Sequence, residues 1–117
     1  MKKTLEDIAK QEGRFSASAY AFVYEGLAYT VKHITHEPRH VSGQVLSEGL
    51  RRMALEKYGR LAKLVLNSWG LKTTRDFGQI VYSLIEQEWM SAQASDTIDD
   101  FNGVYDFQTV FKDQFAF

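Results

Sequence analysis

Apolar side chains recur at three- and four-residue intervals through most of this chain, most densely between residues 41 and 89. Ser42 is placed to accept the free amides of a first helical turn, with Val41 and Leu46 at the positions of a hydrophobic staple. Leu46, Leu50 and Met53, with Ala54 beside them, then line one face, while Glu48, Arg51, Arg52 and Glu56 point elsewhere. Gly59 interrupts the pattern as a left-handed cap or a kink, and Leu61, Ala62, Val65, Leu66 and Trp69 resume it. Gly70 ends that second piece, with Leu71 placed to fold back onto its last turn. Thr73 and Asp76 then form a capping box for a third piece, whose stripe of Phe77, Ile80, Val81, Leu84 and Ile85 runs on to Trp89. Three amphipathic pieces with such short connections have to pack on one another.

The flanks follow the same logic. Thr4 and Asp7 predict a short helix through Gln11, with Leu5, Ile8 and Ala9 on one side and Gly13 as its stop. Ser16 is a candidate cap, with Phe15 and Tyr20 as its staple, for a helix running to about His33. In that helix Tyr20, Val23, Leu27, Val31 and Ile34 form a stripe, while Phe22, Tyr24, Ala28 and Tyr29 make much of the remaining circumference apolar. The composition predicts a buried central helix, or one that uses a second face for a dimer. Residues 33–40 read as a turn or loop because Pro38 denies Glu37 the helical conformation. Residues 90–103 read as a loop with a short helical turn. Asp106 predicts a last helix on which Phe107, Val110 and Phe111 lie together, with Phe115 and Phe117 continuing apolar. The pattern as a whole predicts an all-α, single-domain bundle of five or six helices over residues 1–117, with a short hairpin near residues 89–107 as an option.

Charge alters this picture more than composition does. A formal net charge of −1 conceals a polarity along the chain: residues 1–75 carry a balance of +6, and residues 76–117 one of −7. The two halves should attract, so the acidic half is expected to fold across the basic one; the alternative is a basic face left open to an anionic partner. The chain has no cysteine, which removes disulfides and thiolate chemistry and suits a reducing compartment. The polar start, Met1-Lys2-Lys3-Thr4-Leu5-Glu6-Asp7, leads into no apolar run of signal or membrane-spanning length, so a cytoplasmic protein with no membrane partner is expected. Sixteen aromatic residues supply either a ring-rich core or a binding surface, and core is the commoner use.

Candidate chemistry is sparse. His33, His36 and His40 are spaced so that one continuous helix would gather them for a divalent metal, but Pro38 breaks that geometry, and no metal site or other cofactor is predicted. Asp99, Asp100, Asn102 and Gly103 do not fit a calcium loop, because the matching register puts Ile98 and Thr109 where oxygen-rich ligands belong. No nucleophile elbow, phosphate loop or dinucleotide glycine pattern occurs, and the serines sit at cap-like positions, so the sequence points away from an enzyme. Residues 61–85 have the outline of a helix-turn-helix with its turn at Gly70. There Thr73, Thr74, Arg75 and Gln79 would enter a major groove while Arg51, Arg52, Lys57, Arg60 and Lys63 met phosphates, although Asp76, Glu86 and Glu88 on the second helix oppose a polyanion.

The strings His40-Val41-Ser42-Gly43, Trp69-Gly70, Thr74-x-Asp76-Phe77-Gly78-x-Ile80-Val81 and Tyr105-Asp106-Phe107, in this order and spacing, resemble a family of small uncharacterised bacterial proteins. The resemblance implies a free-standing bacterial cytoplasmic protein and carries no activity. The expected function is a non-enzymatic interaction or regulatory module with a protein partner or a second copy of itself; a helix-turn-helix nucleic-acid binder is the alternative. The expected binding surface comprises His36, Arg39, His40, Arg51, Arg52, Arg60, Lys63 and Arg75.

Overall fold

The computed structural model describes residues 3–36, 41–91 and 98–112. Its elements are α1 (Leu5–Glu12), α2 (Ala17–Thr30) continued by a π-helical turn (Val31–Thr35), α3 (Gly43–Tyr58), a 3-10 turn (Gly59–Leu61), α4 (Ala62–Ser68) and α5 (Thr74–Glu86). A 3-10 turn (Ile98–Phe101) and a π-helical turn (Gln108–Lys112) follow. The arrangement is all-α, and among the described residues of 89–107 there is no strand to make a hairpin.

The local start and stop signals do their expected work. Thr4 with Asp7 and Thr73 with Asp76 both close reciprocal capping boxes, and the Ser42 hydroxyl accepts the Val45 amide at 3.2 Å. Gly13 ends α1 in the left-handed region, its amide donating to Ala9 O. Gly70 and Leu71 donate to Asn67 O and Leu66 O, a Schellman stop on α4 that leaves Leu71 fully buried. Ser16 occupies the cap position of α2, but its side chain caps nothing; its backbone amide instead donates to Trp69 O, tying α2 to the end of α4.

The central pair is α2 and α3, and small residues bring it together. A Cβ on Gly26 would overlap the Leu50 side chain, and one on Gly49 would overlap Thr30, itself fully buried with its hydroxyl donating to Gly26 O at 2.7 Å. This shifts the buried line of α2 from the expected stripe. Ala19, Tyr20, Phe22, Val23, Gly26 and Thr30 face inward, whereas Leu27, Val31 and Ile34 are half-buried and Tyr24 and Ala28 are exposed. On α3 the expected face holds, with Leu46, Leu50, Met53 and Ala54 all buried.

Gly59, at φ 54° and ψ −132°, resets the helix phase before α4. Ala62 and Leu66 turn inward, while Leu61 and Leu64 stand 55% and 66% exposed, so the expected core role of Leu61 is corrected. Phe77, Ile80 and Leu84 of α5 are fully buried, as their stripe predicts. The segment after residue 98 closes the core: the Phe101 ring lies so near Gly43 and Gly78 that a Cβ on either would approach it to 2.9 and 2.8 Å. Asp106 opens the last turn, accepting the Gln108 amide at 2.9 Å, and Phe107 and Phe111 enter the core beside Phe77 and Tyr105. Phe115 and Phe117 lie outside the described residues.

Two stability predictions arise from this backbone. Gly49→Ala overpacks a site walled by a β-branched, fully buried Thr30, and should cost about 1–3 kcal/mol in urea unfolding. At the end of α5, Glu88 adopts φ 64° in a Schellman stop, donating to Ile85 O while Trp89 donates to Leu84 O. Glu88→Gly should therefore raise the unfolding midpoint, by roughly 0.5–1 kcal/mol in stability, without changing the denaturant slope.

Candidate functional site

The described residues of the expected basic surface are spread over the π-helical turn after α2, α3, the 3-10 turn, α4 and α5. Arg51 turns along α3 to Glu48, with Nε at 3.0 and 3.1 Å from its two carboxylate oxygens; that hydrogen bond raises the guanidinium pKa against the opposing effect of burial. Lys63 donates to Gln108, and Arg75 donates to Asn102 at 2.6 Å and pairs with Asp99 at 3.4 Å. Arg60 is exposed on the 3-10 turn before α4. Arg52 points to the other side of α3, close enough to Tyr29 to oppose the rise in its pKa. His36 ends the π-helical turn in the left-handed region at φ 60°. Arg39 and His40 lie outside the described residues.

The segment 98–112 thus meets Lys63 with the neutral amide of Gln108 and Arg75 with Asn102 and Asp99, the last an ion pair between the two halves of the chain. It also occupies the start of α5. The buried Thr74 hydroxyl donates to Phe101 O at 2.6 Å and accepts the Val104 amide at 3.2 Å, Gln79 accepts from Arg14, and the Thr73 hydroxyl serves its own cap.

A second polar junction lies where α1 meets α5. One Glu12 carboxylate oxygen accepts the Tyr20 hydroxyl at 2.8 Å and the Ser83 hydroxyl at 2.5 Å, and Arg14 bridges to Asp76 at 2.8 Å. Asp76 also accepts the amides of Lys72 and Thr73, so its carboxylate joins the cap of α5 to the linker after α1. These groups satisfy one another, which marks the junction as a structural clip beside a shallow cleft of about 410 Å³.

Among the described residues a groove of about 300 Å³ lies between α2 and α3. Met53 and Ala28 line it with apolar surface, and Tyr29 and His33, one helical turn apart, place their rings 4.4 Å from each other along it. The Tyr29 hydroxyl donates to Glu56 at 2.6 Å, and that hydrogen bond is the main cause of its raised pKa. Lys57 reaches Glu25 at 2.9 Å, which lifts the ammonium pKa. Lys32 lines the groove as well. Of the expected residues that are described, Arg52 stands beside this group, next to Tyr29. Glu25, Tyr29 and His33 carried a usable signal in their four-residue spacing on one helical face, but their partners Glu56 and Lys57 are about 30 positions away and only the fold reveals them.

Among the described residues no group of three His, Asp or Glu side chains could hold a metal ion, and no helix is long and apolar enough to cross a membrane. No family model, curated protein or solved structure matches this chain.

The tyrosines offer a check on the geometry. Burial, followed by the Glu12 hydrogen bond, pushes Tyr20 well above the ordinary phenol value, and burial does the same for Tyr105, whose hydroxyl donates to Ser47 O at 2.7 Å. A phenol with a raised folded-state pKa contributes stability that is complete below its unfolded value of about 10 and is lost as pH rises above it. Alkaline titration followed by phenolate absorbance should show Tyr20 and Tyr105 ionising only as the fold is lost, and Tyr20→Phe and Tyr105→Phe should each remove one late-titrating group. Ordinary titration of both in the folded protein would contradict these placements.

Proposed function

We propose that this protein is a non-enzymatic interaction module of a bacterial cytoplasm, and that it receives a protein partner on the outer face of α4. The observation that carries this reading is the pair Leu61, at the end of the 3-10 turn, and Leu64, on the seven-residue α4, the most exposed of the large apolar side chains described. Ala62 and Leu66 hold α4 inward, and a ring trio of Phe22, Tyr58 and Trp69, with centroids 5.7–6.5 Å apart, supports its end. Most of each of these two side chains stands in solvent, and an exposed apolar ridge suits recognition. Lys63, which donates to the neutral amide of Gln108 and so keeps its charge, lies beside the ridge and favours a partner with acidic groups around an apolar stripe over a second copy bringing the same cation.

The nucleic-acid reading has less support, because Thr74, Arg75 and Gln79 already have intramolecular partners and Asp99 stands beside Arg75. Leu61→Ser/Leu64→Ser should leave stability within about 1 kcal/mol of the parent, as expected for exposed positions. Parent and variant, immobilised side by side in native cell lysate, should differ in one retained protein of acidic character. Equal retention by both, or retention of nucleic acid alone, would defeat the reading.

A further inference from the structure

We propose that the groove between α2 and α3 is a binding site for a small organic anion, a carboxylate or phosphate group carried on a compact apolar or aromatic body. This site is separate from the α4 face and does not depend on it.

The walls of the groove are fixed. One turn away, Gly26 meets Leu50 and Gly49 meets Thr30 with no room for a methyl group, so the two helices cannot close over the space. Its lining is divided by chemistry. Met53, 1% exposed, and Ala28 provide an apolar base, and the paired rings of Tyr29 and His33 give a face on which a flat body can lie.

The charges are unequally paired. Glu25 is matched by Lys57 at 2.9 Å, and Glu56 accepts from Tyr29 with Arg52 alongside. Two cations and two carboxylates line the groove: Lys57 is taken up with Glu25 and Glu56 holds the Tyr29 hydroxyl, whereas Lys32 and the His33 ring nitrogens have no hydrogen-bond partner among the described residues. The uncompensated group in the groove is therefore a cation beside an imidazole, and an anion is what satisfies it.

The backbone is also irregular at this point. α2 gives way to a π-helical turn at Val31–Thr35, closed by a 2.7 Å bond from the His36 amide to Val31 O, and His36 takes a left-handed conformation that non-glycine residues rarely adopt. Lys32 and His33 both lie on this turn.

The test is amide-resolved NMR titration of the full chain with benzoate, phenyl phosphate, inorganic phosphate and uncharged benzamide. The proposal expects saturable shifts centred on residues 25–36 and 52–57 for the two aromatic anions. Inorganic phosphate should bind more weakly for want of the body, and benzamide should not saturate. Lys32→Gln with His33→Gln, both exposed in the parent, should weaken the aromatic anions about tenfold, the scale of a lost charge-assisted hydrogen bond. Preference for benzoate or for phenyl phosphate identifies the anionic group. Shifts that do not saturate, that scatter over other basic residues, or that persist unchanged in the double variant mean an adventitious ion only and overturn the site.

Discussion

The close crossing of α2 and α3 is the constraint on which the other packing decisions rest. Gly26 against Leu50 and Gly49 against Thr30 remove two side chains from the contact and let the backbones approach. Because Thr30 satisfies its own hydroxyl on Gly26 O, the crossing buries a polar atom without leaving it unpaired. Interiors at this density transmit displacement, so the position of α3 on α2 also sets where α3 presents Gly43 to Phe101 and Ser47 O to the Tyr105 hydroxyl. The same crossing holds apart the outer parts of the two helices, where the groove lies.

The last described segment is held by rings more than by charge. Its ion pair to α5, Arg75 with Asp99, is largely exposed, and exposed pairs are worth roughly 0–1 kcal/mol. Burying Phe101, Phe107 and Phe111 is worth about 1.5–3 kcal/mol for each side chain. The opposed charges of the two halves therefore assist the docking, while the aromatic residues fix it. Phe101 seated between Gly43 and Gly78 makes this segment part of the core, and the start of α5 is accordingly a packed interface.

The two recognition surfaces inferred here differ in kind. The α4 ridge is an apolar excess on a helix already secured from behind, suited to a partner that covers it. The groove is a concavity with apolar lining, a ring face and a cation left unpaired. The rings of Tyr29 and His33 serve the second surface, whereas those of Phe22, Tyr58 and Trp69 support the first.

Sequence alone determined the parts of this structure governed by neighbours within a turn or two. The boxes at Thr4–Asp7 and Thr73–Asp76, the Ser42 cap, the Gly70–Leu71 stop, the Asp106 start and the buried faces of α3 and α5 were all legible, because each rests on bonds or periodicity inside one element. Tertiary structure decided the rest. Periodicity cannot tell which of two apolar lines on α2 meets a neighbour, and the crossing selected the line containing Gly26 and Thr30 over that of Leu27 and Val31. Nor can it give the backbone angles of Gly59, which turned Leu61 outward, or foresee that α2 would end in a π-helical turn. Lys63 and Arg75, read as a binding surface, were claimed by residues more than twenty positions away, while Glu25 and Tyr29 gained partners about as distant. A charged side chain's role depends on what the fold places within about 4 Å of it, and that distance is set by the packing of whole helices.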